Sequence, residues 1–282
     1  MRLPEPIGRA GRFAGTVLES FGRDNGGLVA AAVSFYVFLS LIPVLLIAVA
    51  VTGYVFGSPE QSQEMVVGWV ERYGLTQAAG KQITSIVREV IAGRGAATGI
   101  SLVILLWTVT TAVSSLERAI NVAWNVEQAR GFAMRRLVAL AVCGLVAGLL
   151  ALSFATTAGL KLVKNLDAVI LGTSPANWSW VWDLAGFAVP VLITISAFTM
   201  IYKIMPNAAV PTRVALIGGV FAGLLWEVAK YAFSYYVNNF VDYSRVYGSL
   251  GGVILLLVWI NYSALVTVLG AEVASVADRR RG

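Results

Sequence analysis

The chain alternates long apolar runs with short polar segments. Leu28 to Tyr54 holds 27 residues without a single charge. Thr98 to Leu116, Leu137 to Leu160, Leu184 to Tyr202, Val214 to Val237 and Ser249 to Val276 follow. Each is about long enough to cross the hydrocarbon of a bilayer, which takes roughly 20 residues of helix. The pattern predicts an all-α polytopic membrane protein with six transmembrane helices. It divides the chain into an N-terminal segment over 1–27, a transmembrane domain over 28–276 and a basic tail over 277–282. The first run is too long for a signal-peptide core, so it is expected to remain as a helix.

A different pattern fills the long first exterior loop, about 57–97. Met65, Val66, Trp69, Val70 and Tyr73 recur at helical spacing, and so do Ile83, Ile86, Val87, Val90 and Ile91. Two amphipathic helices are expected there, lying on the outer membrane surface or capping the bundle. Within the spans, Pro43 and Pro190 each remove an amide donor and favour a kink, read either as packing or as a hinge. Ser40 is placed to satisfy backbone that Pro43 frees. Thr108, Thr111 and Ser115 share one face of the second span, where hydroxyls bond back to their own helix or line a path.

Composition agrees with the pattern. Hydrophobic residues make up 58% of the chain and charged ones 13%, about half the charge that solvates an ordinary soluble domain. Of the 21 Lys and Arg, thirteen fall on the side that holds both termini, seven on the opposite side, and Lys230 inside a span. The positive-inside rule then places both termini in the cytoplasm. The basic surplus is topological, and nucleic acid is not an expected partner. Cys143 is the one cysteine and there is no histidine, so no disulfide framework, metal site or cofactor is expected. No G-x-x-x-x-G-K-[ST] phosphate loop occurs.

The candidate chemistry lies in the fifth run. Glu227 and Lys230 sit near its centre, three residues apart and on one helical face. Gly219, Gly223, Glu227, Lys230, Tyr231, Ser234 and Asn238 step by three or four along it as one stripe. The last run adds Asn261 and Glu272, eleven apart and on one face. A charge at mid-membrane costs about 2.5 to 3.5 kcal/mol on insertion scales, so such residues pair, face protein or line a pathway. A buried ion pair that locks the helices is one reading; a polar substrate pathway is the other, and the aligned stripe favours it. Glycines four apart (Gly144 and Gly148, Gly219 and Gly223, Gly248 and Gly252) predict close helix packing. A faint echo between "IPVLLIAVAVTGY" and "VPVLITISAFTMIY" raises an inverted repeat of three helices, with coincidence between two apolar runs as the simpler account.

Four segments carry a family resemblance over nearly the whole chain. They are "AAVSFYVFLSLIPVLL", "SSLERAINVAWNV", "LLWEVAKYAFSYYV" and "YGSLGGVILLLVWINYSALVTVLGAEV". In this order they resemble the YihY/BrkB family of bacterial inner-membrane proteins. Glu227, Lys230, Tyr247, Gly248, Trp259, Gly270 and Glu272 fall on positions that match the family's pattern. The resemblance implies six spans with both ends in the cytoplasm and residence in the bacterial inner membrane. The family has carried ribonuclease and virulence-factor labels and proposals of lipid or lipopolysaccharide-precursor export.

Three function classes follow. A transporter of a lipid or other amphipathic anion uses Glu227, Lys230, Tyr231, Ser234, Asn238, Asn261 and Glu272 as its pathway and Pro43 and Pro190 as hinges. A membrane scaffold, alone as a homo-oligomer or with an envelope-assembly partner, uses the basic loop "ERAINVAWNVEQARGFAMRR". A nuclease is the least favoured, because the chain has no histidine, a single cysteine inside a span and no acidic metal-binding cluster among Glu5, Glu19, Asp24, Glu117 and Glu127. The transporter, with membrane lipids as its partners, is the reading the sequence supports best.

Overall fold

A computed structural model describes residues 5–56, 97–126, 130–131, 133–145, 148–149, 179–239 and 251–280. These residues form seven α-helices and no strand. They are α1 (Glu5–Arg23), α2 (Gly26–Phe56), α3 (Ala97–Ala123), α4 (133–145), α5 (Ser179–Ile204), α6 (Thr212–Asn239) and α7 (Gly251–Arg279). Among the described residues, three helical stretches are long and apolar enough to cross a membrane: Gly186–Ile204, Thr212–Val237 and Gly251–Arg279. A fourth arises if Gly11–Arg23 and Gly26–Leu41 count as one broken span. The expected exterior helices fall within 57–96, which lie outside the described residues.

Helix ends follow local chemistry. Asn25 and Asn125 take the left-handed conformation, both with φ of 52°. Asparagine tolerates that region better than most residues. Asn125 closes α3 in a Schellman arrangement: its N–H donates to Val122 O at 2.9 Å, and Val126 N–H donates to Asn121 O at 2.9 Å. Pro211 stands just before α6, where a missing donor costs nothing, and its carbonyl accepts from Val214 and Ala215.

The helices divide between two compact units. One comprises Met1–Gly26, Glu117–Ala229 and Val266–Gly282. Its centre is a tight seam of α5, α6 and α7. A Cβ at Gly218 of α6 would meet Ala274 Cβ and Gly270 O, each at 2.7 Å. A Cβ at Gly270 of α7 would meet the Tyr202 hydroxyl, and Ala222 Cβ at 2.7 Å. Gly219 and Gly223 press on Thr199 and Ile195 of α5. Small residues four apart let helix backbones approach, which is how apolar helices hold together when lipid is as apolar as they are. Tyr202, fully buried, donates its hydroxyl to Thr267 O at 2.8 Å and thereby ties α5 to α7.

The other unit comprises Gly27–Leu116 and Lys230–Leu265. Phe233 of α6 packs on Trp259 of α7, ring centroids 4.8 Å apart. Asn261 donates to Ser34 Oγ of α2 at 3.3 Å, and Ser34 donates in turn to Ala31 O. Interhelical polar bonds of this kind average only about 0.6 kcal/mol in membranes. Asn261→Leu is therefore expected to lower thermal stability by about that amount without unfolding the chain, as a melting curve in detergent would show.

Two expectations need correction. Gly144 and Gly148 do not mediate close packing: a Cβ at either would meet nothing within 4 Å. Both lie on an exposed side of the third apolar run, so spacing alone misled. Ser40 does not serve the carbonyl that Pro43 frees, which is that of Leu39. Its hydroxyl donates to Val37 O at 2.7 Å, because a helical side chain points toward the N-terminus and reaches the preceding turn. The α2 backbone stays helical through Pro43. Likewise Thr111 bonds back to Trp107 O at 2.7 Å, the local alternative to lining a path.

Candidate functional site

The stripe on α6 splits along its length. Gly219 and Gly223 are covered by α5, and Glu227 is buried at 8% exposure. Lys230 is half-buried, whereas Tyr231 is 64% exposed and Ser234 is also exposed. Tyr235 and Tyr236 are exposed beside them. The stripe thus begins as a packing seam and ends as a polar, hydroxyl-rich surface. The Asn238 side chain and Gly248 lie outside the described residues. Gly252 is buried at the start of α7, and Pro190 is half-buried inside α5.

On α7 the two predicted polar residues have separate roles. Asn261 reaches α2, as described above. Glu272 is 1% exposed, and its Oε2 lies 4.0 Å from Arg279 one helical stretch later. Asp24 faces the same carboxyl from the α1–α2 break, and Arg23 Nε donates to Asp24 Oδ1 at 3.2 Å. Glu272 therefore anchors a charged cluster at one end of α7, well separated along the chain from Asn261.

A second polar assembly had no counterpart in the sequence reading. Arg130 sends its guanidinium to three successive carbonyls at the end of α5: Ile204 O at 3.2 Å, Met205 O at 2.7 Å and Pro206 O at 2.9 Å. The same guanidinium meets Glu117 Oε1 at 3.2 Å, with side chains 15% and 4% exposed. The last carbonyls of a helix have no intrahelical partner and carry partial negative charge, so a planar cationic fork fits them. Asn121 Oδ1 accepts from Asn207 N–H at 2.8 Å, and Lys203 donates to Val210 O. Ser275 of α7 donates to Ala123 O at the end of α3. The Arg130 and Asn121 bonds stake the turn between α5 and α6 onto α3, and the Ser275 bond ties α7 to the same end of α3. Arg130 lies 13 residues from Glu117 and 75 from Met205, so no local spacing announces the contact.

Among the described residues no group of three or more Asp, Glu or Cys side chains is placed to hold a metal. The polar chemistry present is hydrogen bonding and ion pairing, distributed along α6 and in the Arg130 assembly.

Comparison with known proteins gives one consistent result. The sequence signature of the family described as "Virulence factor BrkB" matches residues 17–282. A protein of Bacillus subtilis named ribonuclease-like protein YfkH is 27% identical over 276 residues, covering 95% of this chain and 96% of that one. The UPF0761 membrane protein Bxeno_A3061 of Paraburkholderia xenovorans is 30% identical over 266 residues, covering 94% and 59%. The UPF0761 membrane protein lpg0643 of Legionella pneumophila is 28% identical over 277 residues, covering 96% and 64%. The chain thus spans nearly all of YfkH but about three fifths of the UPF0761 proteins. No solved structure matches it.

Proposed function

The chain belongs to the virulence factor BrkB family of membrane proteins, and from that membership we propose that it is an inner-membrane transporter moving a lipid or another amphipathic anion. The proposed topology has six spans with both termini cytoplasmic. The distribution of basic residues and the helices at the six long apolar runs, the third of them described as helix over 137–145, support it.

One observation carries the proposal. On α6, within a stretch long and apolar enough to cross a membrane, Lys230 stands half-buried beside exposed Tyr231 and Ser234. A charged or hydroxyl group at such a place is poorly solvated by hydrocarbon and well solvated by a lipid headgroup. In this mechanism the Lys230 ammonium attracts an anionic headgroup and the two hydroxyls bond it. The acyl chains remain in the bilayer throughout. Glu227, three residues earlier on the same face, balances Lys230 when the site is empty. Pro190 and Pro43 supply the bending that passage of a headgroup requires.

The test is leaflet exchange of a fluorescent anionic phospholipid in liposomes holding the full chain. Exchange well above that of empty liposomes is expected, with loss in Lys230→Met and retention in Lys230→Arg, both variants remaining monodisperse. An exchange rate equal to that of empty liposomes across several anionic headgroups would overturn the proposal. Exchange that Lys230→Met leaves intact would move the pathway off α6 and make this face a surface for an assembly partner.

A further inference from the structure

The N-terminal helix carries a wider apolar arc than the fold uses. On α1, Ile7, Ala10, Phe13, Ala14, Val17, Leu18 and Phe21 recur at spacings of three and four, covering one side of the helix. Only one edge of that arc is packed. Val17 is 4% exposed and clusters with Val273 and Val276 of α7, with Phe13, Ile217 and Leu269 against them. The opposite edge is bare: Ala14 is exposed and Leu18 is 63% exposed. Gly11, Gly15 and Gly22 flank it, and a Cβ on any of them would meet nothing within 4 Å. This side of α1 is smooth and open.

Covalent continuity and charge identify what covers it. Arg23 ends α1, and the 27-residue uncharged run begins at Leu28, so the end of α1 is held within a few residues of the bilayer surface. Arg12 and Arg23 are exposed on the polar side of α1. The Arg280 guanidinium sits 4.9 Å over the Phe13 ring, and Arg279 is 40% exposed beside it. On the proposed topology, the segments that share this side carry thirteen basic residues against seven acidic ones, Glu5, Glu19, Asp24, Glu117, Glu127, Glu272 and Asp278. That excess equals the net charge of the protein, +6. A bare apolar edge on a helix whose polar side carries arginines, tethered to a membrane helix, matches an anionic lipid surface.

We propose that α1 is an in-plane docking helix whose Ala14–Leu18 edge seats among the headgroups of an anionic leaflet, with Arg12, Arg23 and Arg280 contacting lipid phosphates. Val17 and Phe13 then hold α7 from the other edge of the same helix. The assignment concerns lipid binding at the surface and stands whether or not α6 moves lipid.

The test uses the full chain in nanodiscs, with a nitroxide at Leu18→Cys or, for comparison, at Glu19→Cys, each in a Cys143→Ala background. Power saturation compares access of oxygen with access of a water-soluble nickel chelate. In discs containing phosphatidylglycerol, the position-18 label is expected to be rich in oxygen contact and poor in nickel contact, and the position-19 label the reverse. Discs of phosphatidylcholine alone are expected to weaken this difference. At low salt, Arg12→Gln is expected to shift the ratio of docked to undocked α1 about fivefold toward undocked. Equal nickel access at both positions would overturn the proposal, and so would identical burial in neutral and anionic discs. Protection of position 18 in lipid-free detergent with a doubled mass would assign the edge to a second copy and overturn it too. Chromatography and circular dichroism on each labelled chain confirm that it is folded.

Discussion

Replacing Arg130 by methionine is expected to destabilise the protein by about 3–5 kcal/mol, the usual cost of stripping one partner from a buried ion pair. Two losses combine. Glu117, 4% exposed, loses the guanidinium that meets it at 3.2 Å. The carbonyls of Ile204, Met205 and Pro206 lose the guanidinium that collects them. Thermal unfolding of the full chain in detergent measures the sum, and hydrogen exchange at Met205 to Val210 shows whether the turn opens. Arg130→Lys separates the two contributions. It keeps a positive charge for Glu117 but offers a compact ammonium where a planar fork met three oxygens, so it is expected to fall between wild type and Arg130→Met. Glu117→Gln is expected to cost less than either, because the guanidinium still has its carbonyls. A lysine variant as stable as the parent would show that charge alone, and not the fork, holds the turn.

The long helices were legible because their runs are long: a 27-residue uncharged stretch admits little besides a buried or membrane helix. Its boundaries at Gly26 and Phe56 fall within two residues of the apolar run. Helix α1 was not read, although Phe13 and Val17 lie four apart on its packed face. It contains Pro6 and four glycines, Gly8, Gly11, Gly15 and Gly22, which lower helix propensity and mask the period. Tertiary packing on α7 outweighs that. The charged residues of α6 were easy to single out because charge is rare in an apolar run, yet the run could not reveal that the stripe is covered at Gly223 and open at Tyr231. Whether one residue of a helix faces a neighbour depends on where the neighbours end. The Arg130 assembly depends on contacts 74 to 76 residues apart, for which a single sequence carries no period and no motif.

Glycine spacing shows the same limit from the other direction. Gly144 and Gly148 have the spacing of a packing motif, yet a Cβ at either would meet nothing, while the glycine-pair spacing misses Gly218 and Gly270 because the residues four further on, Ala222 and Ala274, are alanines. The second large effect is expected at that alternation of glycine and alanine. Gly270→Ala adds a single methyl group where Ala222 Cβ would stand at 2.7 Å and the Tyr202 hydroxyl closer still. Neither can yield cheaply. Ala222 has no rotamer to change, and Tyr202 is fully buried, stacked on Phe198 at 6.1 Å and bonded to Thr267 O. Relief requires α6 and α7 to separate, which Gly218 against Ala274 resists in turn. Overpacking of this kind costs about 1–3 kcal/mol. Gly186→Ala, on open α5 surface, is expected to leave the melting midpoint unchanged or slightly raised. The diagnostic result is a change of sign. Tyr202→Phe alone gives up one buried hydrogen bond and is expected to cost about 1 kcal/mol. In the Gly270→Ala background the same change removes the atom nearest the new methyl, so it is expected to restore stability. A coupling energy of that sign in a double-mutant cycle would place the stress at the Tyr202 hydroxyl. Simple additivity would show that α6 and α7 part freely, and that the seam is looser than its contacts imply.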